Sequence, residues 1–256
     1  MTGFSSPAIM LRRIEYGDYD LIITFFTRKL GKLAVMAKSA KKSSKRFPGI
    51  LEPFSGLEIV CTGGRKKGLL FLKEATLVSP LPGIGTDIVK TGYASYWAEI
   101  INTWMEEQVE NKEVYRLFQY VLTELEKGTI PAADLSILFQ IRFLNIAGVG
   151  PNLSGCISCG LSIEKAPQTF FRIDLGRGGW ACSRCGQGPL SRAGLSKGAI
   201  KHLLWIGKMD LKRAGRMKCT SEIRREGVQF LESFVEYHIG KALKSLKVLK
   251  QVRSSV

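Results

Sequence analysis

DLIITFFTRKLGKLAVMAK, residues 20–38, is the stretch that decides the fold of the first part of the chain. Two segments rich in Leu, Ile, Val and Phe (20–27 and 32–38) flank the turn sequence RKLGK. Short apolar segments on either side of a glycine-containing turn are typical of a β-hairpin. The stretch therefore predicts two neighbouring strands.

The same pattern continues on both sides of this hairpin. Further turn sequences, YGDYD, SSKRFPG and TGGRKKG, separate three more apolar segments, which are AIMLRR (8–13), FSGLEIVC (54–61) and GLLFLKEATLV (68–78). Five strands in about 80 residues is the size of a small Greek-key barrel, and the five-stranded OB-fold fits that count. An SH3-like barrel would give a similar pattern, so the strand count leaves both open.

After SPLPG (79–83) the apolar residues recur at spacings of three and four, which predicts amphipathic helices. The predicted helices are 86–108, 112–127, 131–148, 195–208 and 221–249, the last as one continuous helix. A Gly- and Cys-rich segment (149–191) with little helical period lies between the third and the fourth. Within it, TFFRID (169–174) predicts a strand.

The charge is unevenly distributed along the 256 residues, which carry 38 Lys and Arg against 22 Asp and Glu, a net charge of +16. Residues 1–80 carry 14 basic and 6 acidic side chains, residues 81–149 carry 5 and 9, and residues 191–256 carry 15 and 5. Such asymmetry indicates a cationic side suited to a polyanion, and we favour a nucleic acid over a merely basic soluble protein.

The sequence gives no sign of membrane insertion or secretion. No run of about 18 apolar residues is present. The N-terminus MTGFSSPAIMLRR lacks a basic start followed by a long apolar core. We therefore expect a soluble intracellular protein with no membrane partner.

Two C-x-x-C pairs, separated by 22 residues, carry the strongest metal signal in the chain. Each pair can form a tight knuckle, and the glycine that follows it (Gly160 or Gly186) is expected to supply a positive φ where the turn needs one. Two knuckles bring together four soft thiolates in a tetrahedron, which suits Zn²⁺. The predicted ligands of one zinc ion are Cys156, Cys159, Cys182 and Cys185.

Three other interpretations of these cysteines compete with zinc. Disulfides need an oxidising compartment, which nothing else in the sequence indicates. A thioredoxin-like redox pair needs one C-x-x-C at the start of a helix in an α/β pattern, and neither pair has that context. An iron–sulfur cluster uses the same ligands and stays open. Because four thiolates leave no ligand position for water, we expect a structural ion and not a catalytic one.

The sequence contains no enzyme motif that we can recognise. A P-loop, a strand–GxGxxG–helix unit, G-x-S-x-G and H-E-x-x-H are all absent. The two histidines, His202 and His238, give general acid–base chemistry few candidates. We expect a binding protein and assign no catalytic residue.

The order of residues in the first part of the chain resembles the bacterial DNA-repair family RecO. The shared features are a strand with basic residues, the turn YGDYD (16–20), an apolar strand ending in Thr-Arg, a Gly-Lys pair, AKSAKK (37–42) and LEPF (51–54). FLNIAGVGPNLSGCISCG (143–160) and the second C-x-x-C pair extend the resemblance over most of the chain.

The resemblance implies an α+β multidomain protein. Its parts would be an N-terminal five-stranded OB-fold β-barrel that binds nucleic acid (1–80), an α-helical domain (81–149 and 192–256) and an inserted, zinc-finger-like module with four cysteine ligands (150–191). It also implies a cytoplasmic, nucleoid-associated recombination mediator that is not an enzyme.

Such a mediator acts in double-strand-break and gap repair through the RecF pathway. It binds single- and double-stranded DNA and anneals complementary strands. With RecR, and often RecF, it helps to load RecA onto DNA covered by single-strand-binding protein. All of these partners are implied by the resemblance alone.

The basic run within AKSAKKSSKRFPG (37–49) lies between two predicted strands, so we expect a loop of the barrel and not a tail. A charged loop beside an OB-fold face can follow a phosphate backbone. We assign DNA contact to Arg12, Arg13, Arg28, Lys32, Lys38, Lys41, Lys42, Lys45 and Arg46, and Arg65, Lys66 and Lys67 would extend the patch. A nuclear localisation signal and a solvated loop are the rival interpretations.

Base stacking and a second basic surface are further expectations. Phe47 is a stacking candidate, with anchoring of the loop as an equal alternative. One of the adjacent Phe25 and Phe26 is expected in the core, because neighbouring side chains of a strand face opposite ways. A lysine stripe within the last helix (241–250) is a solvated face or a second surface for DNA or an acidic partner.

The main rival function is a zinc-containing OB-fold protein that binds RNA and has no role in repair.

Overall fold

A computed structural model of the chain describes residues 3–42, 46–63, 70–186 and 194–255. The strands are β1 (Gly3–Tyr16), β2 (Asp20–Thr27), β3 (Gly31–Ala37), β4 (Gly56–Gly63), β5 (Leu70–Ser79), β6 (Phe170–Asp174), β7 (Gly179–Trp180) and β8 (Gly194–Ser196). The helices are α1 (Pro82–Thr86), α2 (Ile88–Trp104), α3 (Lys112–Lys127), α4 (Ala132–Ile146), α5 (Lys197–Lys208), α6 (Leu211–Gly215), α7 (Ser221–Ile239) and α8 (Lys244–Ser255).

The first five strands form a closed barrel in the order β1-β2-β3-β5-β4. β1 is 14 residues long because it has two partners: its first half pairs with β4 and its second half with β2, both antiparallel. A short parallel contact between β3 and β5 (Val35 opposite Leu70, Met36 opposite Phe71) completes the ring. This strand order is that of the OB-fold, so the predicted fold class is confirmed and the SH3-like alternative is wrong.

Alternate side chains of the barrel strands face inward and form one apolar core. Eleven of them are at most 2% exposed: Ala8, Met10, Ile23, Phe25, Leu33, Val35, Ala37, Leu57, Ile59, Cys61 and Leu72. The outward side chain of Phe26 is also fully buried, because its ring lies 6.3 Å from that of Tyr115 on α3. The opposite directions expected for Phe25 and Phe26 are therefore confirmed.

The chain folds into two compact units, Met1–Glu126 with Leu243–Val256, and Lys127–Ala242. The first unit contains the barrel, α1 to α3 and α8. The second contains α4 to α7 and the cysteine-rich segment. The division by function into 1–80, 81–149 with 192–256, and 150–191 stays a prediction, since these units group the residues by compactness alone.

In the first unit, carboxylates cap two helices. Asp87 accepts hydrogen bonds from the backbone N–H groups of Val89 (2.8 Å) and Lys90 (3.1 Å) at the start of α2. Glu99, on α2, accepts one from the N–H of Ser245 (2.7 Å) at the start of α8. An acid at a helix N-terminus satisfies N–H groups that have no partner within the helix.

In the second unit, an ion pair joins α4 and α7. The guanidinium of Arg224 donates through two nitrogens to the two carboxylate oxygens of Asp134, at 2.5 and 2.9 Å. The Asp134 side chain is only 12% exposed, and a two-pronged pair of this kind fixes the orientation of both partners.

The continuous helix predicted over 221–249 is wrong, because the structure divides it at Gly240. This residue has φ +75°, and its N–H donates to the carbonyls of Glu236 and Tyr237, which ends α7. α8 then begins at Lys244 and packs in the other unit. The apolar residues whose spacing predicted one helix therefore pack into two separate cores, one in each unit.

None of the helices in the described ranges is both long enough and apolar enough to cross a membrane.

Gly31 provides a test of the barrel architecture. Its φ is +64°, and a Cβ atom there would lie 1.9 Å from the backbone carbonyl oxygen of Val109. We expect Gly31→Ala to lower the free energy of unfolding by about 3 kcal/mol or more, because the backbone at Val109 or at residue 31 must move to make room for the Cβ atom. Gly17 is the matched control: its φ is +57°, but nothing lies within 4 Å of its Cβ position.

Gly17→Ala should cost only the left-handed backbone penalty of about 1–2 kcal/mol. Urea unfolding of both variants measures the two values. Equal losses would show that the approach to Val109 is not as close as described.

Candidate nucleic-acid interface and metal centre

Several of the nominated basic residues meet where the tip of the β1–β2 hairpin (16–20) approaches the loop after β3. The ammonium of Lys41 pairs with the Glu15 carboxylate at 2.6 Å. The ammonium of Lys42 lies 3.5 Å from the centre of the Tyr19 ring. The N–H of Ser39 donates to the Asp20 carboxylate (2.7 Å), which ties the start of this loop to β2.

The other side of the loop is held in a similar way. The Arg46 guanidinium donates to the carbonyl of Lys38 (2.9 Å) and lies 4.7 Å from the centre of the Phe47 ring. Lys38 in turn places its ammonium 5.0 Å from the ring centre of Phe71. Phe47 is 4% exposed and belongs to the barrel core, so it anchors the loop and the stacking role proposed for it is wrong.

Two nominated arginines lie on β1, in the half of the strand that leads to the hairpin tip. Arg12 is exposed and makes no ion pair with any of the described residues. Arg13 donates to the carboxylate of Glu52 (2.7 Å) and to the carbonyl of Leu51 (2.6 Å). We call the set the basic rim; its members are Arg12, Arg13, Lys38, Lys41, Lys42 and Arg46.

Two nominated residues lie elsewhere. Arg28 and Lys32 are at the opposite end of β2 and β3, next to the turn that joins them. Arg28 is exposed, whereas Lys32 is half-buried and its ammonium donates to the carbonyl of Asn102 (2.8 Å). The structure therefore separates both from the basic rim. Lys45, Arg65, Lys66 and Lys67 lie outside the described residues.

The acidic and aromatic partners of the basic rim were missed in the sequence. The motif YGDYD identified a turn, but it gave no sign that Tyr19 would lie under a lysine. Glu15 and Lys41 are 26 residues apart, and only the hairpin register brings them together. The Lys41 ammonium, by a hydrogen bond and by its charge, lowers the pKa of the exposed Glu15 carboxyl.

The four cysteines of the two C-x-x-C pairs converge in the second unit. Their sulfur atoms all lie within 4.8 Å of one another, and those of Cys159 and Cys182 are 3.7 Å apart. Four sulfurs at 2.3 Å from a tetrahedral zinc ion would be about 3.8 Å apart, so the cluster has the right size. Residues of this kind and spacing could hold a metal ion.

Backbone turns position the sulfurs of both knuckles. The N–H of Gly160 donates to the carbonyl of Cys156 (2.9 Å), and that of Gly186 to the carbonyl of Cys182 (2.8 Å). Gly160 has φ +73°, as expected, but Gly186, although described, is not among the residues with positive φ. The second knuckle therefore closes without a left-handed residue.

A small apolar core supports the knuckles. The Trp180 and Phe171 rings are both fully buried and meet edge to face at 4.7 Å. The Trp180 indole N–H donates to the carbonyl of Leu153 (3.0 Å). The strand predicted over 169–174 is confirmed as β6, which pairs with β7 at Trp180.

The thiols of the cluster differ in acidity. Burial acts to raise the pKa of Cys156, but N–H donors from the backbone of Cys159, Cys182 and Ser158 outweigh it and lower that pKa to about 6. Hydrogen bonding with the Cys182 and Cys159 sulfurs raises the pKa of Cys185 to about 12. Four thiolates at this separation need a cation to balance their charge.

The lysines of the C-terminal stripe, Lys241, Lys244, Lys247 and Lys250, are all exposed, on α8 and the segment that leads into it.

Comparison with known proteins identifies the family. The family described as recombination protein O, N terminal, matches residues 1–81, and recombination protein O, C terminal, matches residues 85–247. The DNA repair protein RecO of Desulfosudis oleivorans is 43% identical over 99% of both chains, and that of Desulfatibacillum aliphaticivorans is 45% identical over 99% of this chain and 98% of its own.

A more distant relative, the DNA repair protein RecO of Bacillus subtilis, is 28% identical over 96% of this chain and 93% of its own. Both family matches and these relatives together span nearly the whole sequence. The chain therefore belongs to the RecO family of DNA repair proteins.

Proposed function

We propose that this chain is a recombination mediator that acts without catalysing a reaction: it binds single- and double-stranded DNA and anneals complementary strands. With RecR it would help to load RecA onto DNA covered by single-strand-binding protein, and RecF would take part in the same pathway. The observation that carries the proposal is the nearly full-length match to the RecO family.

The basic rim supports a role in DNA binding. Lysine and arginine side chains that contact phosphates release counterions, which gives affinity without sequence preference. Within the rim, Lys41, Lys42 and Arg46 come after β3 of the OB-fold barrel and are exposed. A charged loop in that position suits a phosphate backbone that crosses the barrel.

We also propose that the cysteine cluster holds one structural zinc ion. Its size, its four thiol ligands and the N–H groups that face the Cys156 sulfur fit a closed tetrahedral site. Zinc bound there would hold together a segment whose own core is small, and it would leave no ligand position for a substrate.

Removal of the rim charges should weaken DNA binding and flatten its dependence on salt. We expect Lys38/Lys41/Lys42/Arg46→Ala to reduce the slope of log affinity against log salt for single-stranded DNA by up to about 3, at roughly 0.7 per lost phosphate contact. Fluorescence anisotropy of labelled oligonucleotides over a salt series measures this slope.

The control variant Lys208/Lys212/Arg213/Arg216→Ala removes the same charge from exposed residues of the second unit. Its slope should stay close to that of the unaltered protein. Equal slopes in the rim variant and the unaltered protein would contradict DNA contact at the rim. Stronger binding of RNA than of DNA of the same sequence would favour the RNA-binding alternative.

Glu15 should act against DNA binding, because its carboxylate pairs with the Lys41 ammonium and so competes with a phosphate for it. We expect Glu15→Gln to increase affinity for single-stranded DNA by about two- to fivefold, the range of an exposed ion pair. Glu74→Gln, at an exposed residue of β5 without an ion pair among the described residues, removes the same charge and should have a smaller effect. Anisotropy at one low salt concentration compares the two, and equal gains would mean that only net charge matters.

Loss of one cysteine ligand should release the metal. We expect about one zinc per chain in the protein purified under reducing conditions, and little in Cys156→Ser, because three thiolates do not close the site. Mass spectrometry of the metal content measures both. Cys219→Ser, at a half-buried cysteine outside the cluster, should keep its zinc. Iron in place of zinc would favour the alternative of an iron–sulfur cluster at these cysteines.

A further inference from the structure

A cavity of the second unit opens onto the cysteine cluster. Its volume is about 530 Å³. One cysteine of each knuckle lines it, Cys159 and Cys185, together with two basic side chains, Lys165 and Arg184. Both basic residues are exposed. Small solutes can therefore reach the cluster from this side, where they meet positive charge.

The thiols of the cluster differ in their access to solvent. Cys159 is exposed, whereas Cys156 and Cys182 are each only 3% exposed. The sulfur of Cys159 lies 3.7 Å from that of Cys182, which belongs to the other knuckle. An accessible thiolate beside a second, covered one is the arrangement in which a peroxide oxidises the first sulfur and the second closes a disulfide with it.

The two cysteines outside the cluster lack these features. Cys61 is fully buried in the barrel core, and Cys219 is half-buried. Burial raises the pKa of the Cys61 thiol to about 12 and that of the Cys219 thiol to about 11. Since the thiolate is the form that reacts with an oxidant, both should stay reduced while the cluster is oxidised.

We propose that Cys159 and Cys182 form a reversible disulfide when the protein meets a peroxide, and that this modification releases the metal ion. The inference rests on the proposed zinc site, and it adds a covalent modification of the same cysteines. Entry of the oxidant through the cavity makes Cys159 the sulfur that reacts first and Cys182 the one that resolves it.

The reaction has two steps. The Cys159 thiolate attacks one oxygen of hydrogen peroxide, the O–O bond breaks and hydroxide leaves, so that the sulfur becomes a sulfenic acid. The Cys182 thiolate then attacks the Cys159 sulfur, the S–S bond forms, the S–O bond breaks and a second hydroxide leaves. The two sulfurs lose two electrons, which reduce one peroxide, and two protons from solvent convert both hydroxides to water. Lys165 and Arg184 place positive charge at the cavity in which the first hydroxide forms.

Formation of the disulfide opens the metal site without separating the knuckles. Only Cys156 and Cys185 remain as ligands, and two thiolates do not close a tetrahedral site. The disulfide joins the same two knuckles that zinc joins, and the backbone N–H of Ile157 donates to the carbonyl of Trp180 (2.9 Å) whether or not an ion is bound. The oxidised segment therefore keeps its fold, and a thiol reductant can restore the site.

The test is treatment of the purified, zinc-loaded protein with hydrogen peroxide. We expect release of about one zinc per chain, followed with a chelating dye. Peptide mass spectrometry after alkylation of the free thiols should locate the disulfide between Cys159 and Cys182. Dithiothreitol and added zinc should then return the protein to its starting metal content.

Removal of the cavity cations gives a variant that keeps all four ligands. Lys165→Gln/Arg184→Gln should slow the release of zinc about two- to fivefold, the range of exposed charge interactions. Lys208→Gln/Arg213→Gln removes the same charge from exposed residues elsewhere in the second unit and should release zinc at the unaltered rate. Equal slowing in both variants would contradict entry of the oxidant through the cavity.

Two results would overturn the inference and leave the proposed zinc site standing. One is zinc that stays bound in peroxide. The other is a disulfide within one knuckle, between Cys156 and Cys159 or between Cys182 and Cys185. A protein purified without any metal would contradict the zinc site itself, and the inference with it.

Discussion

Closure of the barrel by β1 is the constraint on which the rest of the first unit depends. One strand must pair with β4 over residues 3–9 and with β2 over residues 8–16. A register shift interrupts the pairing with β2 between Met10 and Arg12. The pairing then continues to Tyr16, so the hairpin tip lies beside the loop after β3, where Lys41 pairs with Glu15. The basic rim exists because the barrel closes in this way.

Much of the fold could be predicted from residues close in sequence. Turn residues and short apolar segments predicted all five barrel strands, and the spacing of the cysteines predicted a cluster whose geometry suits a metal. The break at Gly240 was missed because the apolar period continues through it, so that helix spacing alone could not show that α7 and α8 serve different cores. β1 was predicted only over its apolar part, 8–13, whereas Ser5, Ser6 and Pro7 also pair with β4.

For the nominated basic residues, the sequence did not indicate the side chains and carbonyls that they contact. The contacts of Lys41 with Glu15, Arg13 with Glu52 and Lys32 with Asn102 span 26, 39 and 70 residues. Such pairs depend on register and strand order, which one sequence does not reveal. The same limit applies to Phe47, where only burial separates a loop anchor from a stacking ring. The outward-facing residues of β1, β2, β3 and β5 likewise become neighbours only once the strands are aligned.

The division of the first unit between the two ends of the chain has a consequence for synthesis on the ribosome. The second unit is one continuous segment of the chain and can fold as soon as it leaves the exit tunnel. In the first unit, α2 cannot pack until α8 has been synthesised. Leu249 packs against Gly92, and the N–H of Ser245 donates a hydrogen bond to Glu99. Both α8 residues are synthesised more than a hundred positions after their partners on α2. At about 5–20 residues per second, the face of α2 that α8 covers stays open for roughly 7–30 s. A chaperone or a second nascent chain has that interval in which to bind it.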